Sequence, residues 1–303
     1  MDHKNRQIEG SAPSDVENAT LSTPDSLPRL KGEQIKKVAG SIIWCFISKG
    51  YVSFKMGKVI VITGASRGIG AATARLAAAH GYAVCVNYLK SQKDADSIVD
   101  EIKSTGGKAL AVAADISLET DVVNLFKTVD TRLGVLTALV NNAGILETQM
   151  RVEEMDADHL NRIFAVNITG SFLCAKEAVR RMSRKHGGSG GAIVNLSSVA
   201  SRLGSAGEYV DYAASKGAID TLTIGLSREV APEGIRVNAV RPAFIYTDIH
   251  ANGGEPGRVD RIKAAIPMKR GGQPEEVANA IMWLLSDEAS YVTGTFLDLA
   301  GGK

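Results

Sequence analysis

Residues 59–79 read VIVITGASRGIGAATARLAAA. Four β-branched apolar residues lead into Thr63, then a turn made of Gly64, Ala65, Ser66, Arg67, Gly68, Ile69 and Gly70, then an Ala-rich stretch at helical spacing. The order is that of a strand, a tight turn and a helix. Glycine lets the chain turn sharply, lets backbone come close to a bound group, and lets the helix lie close to the strand. A helix starting there points free N–H groups and a partial positive charge at a pyrophosphate seated in the turn. The glycine spacing is GxxxGxG, not the GxGxxG of the usual dinucleotide fingerprint. A glycine cluster alone fits any tight strand-to-helix turn, and its place between a strand and a helix gives it weight.

Working outward, short β-branched runs alternate with Ala/Leu-rich helical stretches to the end of the chain. Strands are expected at residues 59–63, 83–87, 109–113, 136–141, 192–196, 236–240 and 295–299. They read as continuous apolar runs and do not alternate, so both faces of the sheet should be covered. The expected fold is α/β, one doubly wound, Rossmann-type parallel sheet of about seven strands with helices on both faces. Ligands in such sheets bind beyond the carboxyl ends of the strands, where the glycine turn falls.

Composition agrees. The chain has 303 residues, is 45% hydrophobic and only 5% aromatic, which suits helices packed closely on a sheet. A formal charge of +2 gives no nucleic-acid signal. The basic cluster Arg180, Arg181, Arg184, Lys185 and His186 ends an expected helix, where the helix dipole favours cations. The three cysteines, Cys45, Cys85 and Cys174, are dispersed, with Cys85 and Cys174 reading as small core residues. Such usage fits a reducing compartment, and the expectation is a cytoplasmic protein. The five histidines include no pair at metal-ligand spacing, so no metal site is expected.

Residues 1–55 stand apart. The first 35 are polar and rich in Ser, Pro, Asp and Asn, and are expected to be disordered. The apolar run from Ile42 to Ile47 is far shorter than the ~20 residues of a spanning helix, and it lies too far from the start for a signal peptide. The reading is an extension over residues 1–55 outside the fold, a domain over 56–303 with Met56 as a plausible natural start, and no membrane role.

A dinucleotide in the glycine turn would meet the end of the second strand. Enzymes selecting NAD carry an acid there that binds the ribose hydroxyls. Here stand Asn87 and Tyr88, followed by Leu89 and Lys90, with no carboxylate to repel a 2′-phosphate. Arg67, inside the turn, could attract one; the other reading of Arg67 is a solvated side chain. NADP is therefore favoured over NAD.

Further along come Asn141-Asn142-Ala143-Gly144 after the fourth strand, Asn167 in the next helix, Ser198 after the fifth strand, and Tyr212-Ala213-Ala214-Ser215-Lys216 opening a helix. Together with the glycine turn, in this order, they resemble the short-chain dehydrogenase/reductase superfamily over about residues 57–303. The likeness is greatest to its sugar-dehydrogenase-like and ketoacyl-reductase-like members, and the C-terminal Tyr291-Val292-Thr293-Gly294 and Ala300-Gly301-Gly302 also fit. A Tyr-x-x-x-Lys pattern alone means little, since Tyr51 and Lys55 satisfy it too. At Tyr212 and Lys216 the two side chains share one helix face.

The resemblance implies an NADP(H)-dependent oxidoreductase that interconverts a carbonyl and a secondary alcohol. Tyr212 would be the acid/base, Ser198 would hydrogen-bond the substrate oxygen, and Lys216 would hold the nicotinamide ribose and, with an oxidised nicotinamide, lower the phenol's pKa. Asn167 would anchor a water leading protons to Lys216. Ser197 competes with Ser198, and Tyr209 weakly with Tyr212. The cofactor would be held by Gly64, Ser66, Arg67, Gly68, Ile69, Gly70, Asn87, Tyr88, Tyr212 and Lys216, with Asp115 and Ile116 beside the adenine. Asn141, Ala143 and Gly144 would line it, and Pro242, Ile245 and Thr247 would stand at the nicotinamide, Ile245 and Thr247 meeting its carboxamide. Two departures stand out: Ala243 occupies the place of a usual glycine, costly if φ there is positive, and the interval from Ser198 to Tyr212 is about one residue longer than usual. Residues 244–273 read as a mobile substrate lid with a short helix near 258–264. Phe244, His250, Leu203 and Glu208 are candidate pocket residues, although His250 reads better as a solvated loop histidine. The substrate is a small molecule, and a homotetramer or homodimer is implied. The alternatives are a cofactor-binding regulatory or sensing protein with little turnover, and an assembly or interaction protein.

Overall fold

In the computed structural model, the described residues are 57–303 together with the backbone of Trp44–Ser48 and Tyr51–Lys55. These last two stretches pair antiparallel as a hairpin in a sheet of their own. Tyr51 and Lys55 thus lie on a strand, where four residues span about 13 Å, and do not share a helical turn. The remainder of the expected extension, residues 1–43 and 49–50, lies outside the described residues, as does Met56.

All seven expected strands form, as β1 (Lys58–Ile62), β2 (Tyr82–Tyr88), β3 (Ala109–Ala113), β4 (Ala138–Asn141), β5 (Gly191–Leu196), β6 (Ile235–Pro242) and β7 (Phe296–Leu299). They make one parallel sheet in the order β3-β2-β1-β4-β5-β6-β7. The chain winds outward from β1 in one direction and returns at β4 to wind in the other. Between the carboxyl ends of β1 and β4 the connections diverge and leave a crevice.

The continuous apolar runs have the expected cause. Ile60 and Ile62 of β1 face one core, packed under α1 (Gly68–Ala79), α2 (Gln92–Ser104) and α7 (Pro274–Leu285). Val59 and Val61 face the other, under α3 (Glu119–Arg132) and α5 (Gly170–Met182). Two long-lived anchors hold the helices in place. Arg236 on β6 donates to the carbonyls of Leu284 and Ser286 at the end of α7, at 2.7 and 3.1 Å, satisfying groups the helix leaves open. Arg181 on α5 bonds Asp130 on α3 and Glu177, so part of the basic cluster is consumed in ion pairs. Cys85 and Cys174 are buried, as expected of core residues. Among the described residues no helix is long and apolar enough to cross a membrane, and no group of His, Cys, Asp and Glu could hold a metal ion.

Two further helices carry the site. α4 (Ala157–Phe164) runs through a π-helical turn, Ala165–Thr169, into α5. α6 (Val210–Val230) follows β5 after the short helix Ala200–Leu203.

Candidate active site

A cavity of about 460 Å³ opens at the carboxyl ends of the strands. One end is the glycine turn. Gly64 has φ +60°, and a Cβ there would stand 2.9 Å from Cα of Ala143. At Gly70 a Cβ would stand 2.6 Å from both Asn142 Nδ2 and the Gly64 carbonyl oxygen. The turn is thus a cradle of backbone that side chains would fill. Its outer residues Gly64, Ser66, Arg67, Gly68 and Ile69 line the cavity, while Gly70 serves the close packing behind it. No side chain accepts from the first turn of α1, so its N–H groups are available to an anion.

The asparagines around the turn divide the work in a way that sequence did not show. Asn87, buried at the end of β2, accepts from Gly64 N–H at 3.2 Å and donates to the carbonyls of Val112 and Ala114 at 3.3 and 3.1 Å. Its amide braces the turn, and Arg67, Tyr88, Leu89, Lys90 and Ser91 line the cavity beside it. Asn141, expected on the cavity wall, is not on it. It ends β4, and its Nδ2 points sideways to the Ser171 carbonyl and Asn195 Oδ1 at 3.2 and 3.0 Å. Asn142, one residue beyond the strand, is on the wall and donates to the carbonyls of Thr63 and Gly64 at 2.7 and 3.0 Å. Ala143, Gly144, Asp115 and Ile116 line the cavity as expected.

The other expected residues converge beside β5 and β6. Ser198, Tyr212, Lys216, Pro242, Ile245 and Thr247 all line the same cavity. Lys216 Nζ donates to the Leu196 carbonyl at the end of β5 at 2.7 Å and lies 5.4 Å from the Tyr212 ring centre. Ser198 accepts from Ala200 N–H at 3.1 Å, and its hydroxyl is within reach of the Tyr212 phenol. Ser197 points away, donating to Asp220 at 2.7 Å. Tyr209 is buried with its hydroxyl on the Gly253 carbonyl at 3.1 Å. Asn167 sits on the π-helical turn and does not face the cavity. Its Oδ1 accepts from Ile145 N–H at 2.8 Å, and its Nδ2 donates to the Ile145 carbonyl and Ser215 Oγ at 3.0 and 3.1 Å. It ties the loop after β4 to the helix of Tyr212.

In the cofactor-free site, burial dominates the electrostatics of both groups. Burial pushes the Tyr212 phenol up to about 12, with the Ser198 hydroxyl pulling the other way. Burial pushes the Lys216 ammonium down to about 8, opposed by the Asp220 carboxylate. The phenol is therefore protonated at neutral pH before cofactor binds.

The remaining wall comes from residues 244–273, with short helices at Ile249–Asn252 and Arg258–Ile262, the latter where one was expected. Ala243 does not have a positive φ, so the methyl there meets no backbone penalty. In the interval after Ser198, Ser205 takes φ +48° and lines the cavity. Leu203, Phe244 and His250 line it too. His250 is buried, not solvated; Nε2 is 3.1 Å from the Ile245 carbonyl and Nδ1 has no partner. Glu208 does not line the cavity but pairs with Arg258, which does. Arg258, missed in the sequence, is 6% exposed and also bonds Glu255 at 2.8 Å. No local pattern marks it, since its partner Glu208 lies 50 residues away.

Comparison with known proteins places this geometry. A family model described as enoyl-(acyl carrier protein) reductase matches residues 64–303. The protein named uncharacterized oxidoreductase YgfF of Escherichia coli strain K12 is 64% identical over 245 residues, covering 81% of this chain and 99% of that protein. A 3-oxoacyl-[acyl-carrier-protein] reductase of Synechocystis is 40% identical over 251 residues, covering 81% of this chain and 96% of that protein. Among solved structures, a short-chain dehydrogenase of Burkholderia cenocepacia in complex with NADP superposes with TM-score 0.75 at 32% identity, over 81% of this chain and 97% of that one.

Proposed function

The chain belongs to the short-chain dehydrogenase/reductase family, an NAD(P)-dependent oxidoreductase acting on a CH–OH or carbonyl group, and from that premise we propose that it reduces a carbonyl to a secondary alcohol with NADPH, using Tyr212 as proton donor. The observation that carries this reading is the convergence of Ser198, Tyr212 and Lys216 on the cavity that also holds the glycine turn. The open space along Gly64, Ser66, Arg67, Gly68 and Ile69, at the start of α1, fits a dinucleotide pyrophosphate.

NADPH, when bound, supplies the hydride that goes to the carbonyl carbon. Tyr212 gives its proton to the carbonyl oxygen, which becomes the alcohol hydroxyl. Ser198 donates a hydrogen bond to that oxygen as negative charge grows on it. Lys216, beside the Tyr212 ring, would hold the nicotinamide ribose, and its positive charge would favour the phenolate left when the proton departs. A phenol held near 12 is fully protonated at neutral pH, which suits the reductive direction.

NADPH is preferred over NADH on this reading because the rim beyond β2 carries Arg67 and Lys90, and Arg67 has no carboxylate partner among the described residues. A 2′-phosphate would supply one. The exposed Phe172 on α5 and Ile224 on α6 support a homo-oligomer, dimer or tetramer. A cytoplasmic setting follows from the cysteine usage.

The test is oxidation of NADPH and NADH against a panel holding a 3-ketoacyl thioester, a β-keto ester, an aldose and a steroid ketone, with Tyr212→Phe as control. Turnover with NADPH that falls by about 10³-fold in Tyr212→Phe is the expected result. Tight cofactor binding without turnover across the panel would turn the assignment to a sensing or regulatory protein.

A further inference from the structure

Three segments of the chain meet at one buried imidazole that itself lies off the cavity wall. His159 stands in the first turn of α4, where the Asp156 carboxylate accepts its backbone N–H at 2.7 Å. Its ring is buried, with Nε2 2.7 Å from Oδ2 of Asp211 and Nδ1 3.2 Å from Oε2 of Glu147. Asp211 is also buried and immediately precedes Tyr212 in the first turn of α6. Glu147 belongs to the loop after β4, whose residues 142–146 form part of the cavity wall. Arg162, further along α4, holds both Glu147 oxygens at 3.0 Å. His159, Asp211 and Glu147 themselves are absent from the wall.

A carboxylate removed from water requires a partner, and the only side-chain donor to Asp211 among the described residues is His159. The start of a helix also favours the negative charge, but gives it no fixed direction. The imidazole supplies the direction. It locks the residue beside Tyr212 to α4, and through Glu147 it locks the cavity loop to the same point. Small errors in the placement of an acid/base cost large factors in rate.

Resting on the reading of Tyr212 as the proton donor, we propose that His159 is a positioning residue for the reaction, setting the first turn of α6 through Asp211 and the cavity loop through Glu147. Replacing the ring alone would strand Asp211 and confuse positioning with folding. The test is therefore the paired variant His159→Phe/Asp211→Leu, which fills the space with apolar groups, beside His159→Gln, which keeps an N–H donor for Asp211.

Both are assayed on the panel carbonyl that the parent chain reduces fastest. The expected result for the paired variant is a parental KM for NADPH, within about twofold, with kcat lower by about 30-fold. His159→Gln should recover kcat to within about fivefold of the parent, since it keeps the bond to Asp211. A paired variant with parental kcat overturns the proposal, provided Tyr212→Phe in the same assay is inactive. If Tyr212→Phe keeps parental turnover, or no panel carbonyl is reduced, the reading of Tyr212 fails and the positioning role falls with it. Should the paired variant not fold, Asp211→Ala, which leaves no buried carboxylate, is held to the same kcat and KM criteria.

Discussion

The two ends of the cavity are built from different materials. The cofactor end is backbone and short side chains: Gly64 and Gly70 pack too closely on their neighbours to admit a Cβ, Thr63 Oγ1 accepts from the N–H groups of Asn142 and Ala143 at 2.9 Å each, and Asn87 braces the turn. The substrate end is held by long charged side chains. Arg258 joins Glu208 and Glu255, Glu255 takes Gln149 at 2.8 Å from 106 residues away, and Arg261 pairs with Glu255. A shape made by backbone tolerates no added atom. A latch made of ion pairs can open and re-form, and its Arg261 pair, exposed on the arginine side, is individually weak.

If that contrast is sound, the largest effect should come from a single methyl-sized intrusion at the rigid end. Gly70→Val would drive a Cβ to within 2.6 Å of a backbone carbonyl. NADPH affinity in a fluorescence titration is expected to fall more than about 100-fold, with folding stability down by about 1–3 kcal/mol. Affinity within a few-fold of the parent would show that the turn is soft.

The seam between the two ends should report through pH. Lys216 is held near 8 against an ordinary value of 10.5, so its folded form gives up the proton first. Burial of the ammonium is a cost borne in full below pH 8 and relieved as pH rises from 8 to 10.5. Stability of the cofactor-free chain should therefore rise between pH 7.5 and 9.5, by about 2 kcal/mol at 1.36 kcal/mol per unit. Tyr212, held near 12, acts the other way above pH 10, because the unfolded phenol ionises first. Urea titrations of the parent and of Lys216→Met check this; a rise that persists in Lys216→Met would assign it elsewhere.

Arg67 sharpens the comparison at the rim. Arg67→Ser should raise KM for NADPH by about tenfold and leave NADH within about twofold, a charge-assisted contact being the only difference. Equal changes for both cofactors would make Arg67 a general anchor of the pyrophosphate. The smallest effect is expected at the latch. Arg258→Met should leave NADPH affinity unchanged, shift substrate KM by about three- to fivefold, and speed hydrogen exchange over residues 249–262. A change in NADPH affinity instead would mean that the two ends are not independent.

The same contrast explains what could be read before the structure was seen. The glycine turn and the seven strands are legible because each is a local pattern, and the trio Ser198, Tyr212 and Lys216 because those residues follow the glycine turn in the order of a known family. Asn141 and Asn142 were not separable, since only the end of β4 decides that one points along the sheet and the other to the turn. His250 and Glu208 were misplaced because their surroundings come from the folding back of residues 244–273 onto the loop before α6. Arg258 and the His159–Asp211 pair left no trace, as partners 50 and 52 residues apart form no motif. The upward shift of the Tyr212 phenol in the cofactor-free chain comes from burial, which a list of residues does not show.

The segment that closes the substrate end begins and finishes at nearly the same place. Ile245 bridges Gly272, Gly272 N–H donates to the Phe244 carbonyl at 2.9 Å, and Tyr246 N–H donates to the Gly272 carbonyl at 3.0 Å. The sheet therefore sees only a clasp, whatever length of chain is looped beyond it. Closing a longer or shorter loop on the same clasp changes the entropy by only a few tenths of a kcal/mol to about 0.6 kcal/mol per doubling. Residues 249–262, inside the clasp and beyond Thr247, which packs on Gly68 of the glycine turn, can be replaced as a cassette while β6, α7 and the cofactor turn stay as they are. Selectivity for substrate can in this way be inherited and exchanged separately from the hydride chemistry it serves.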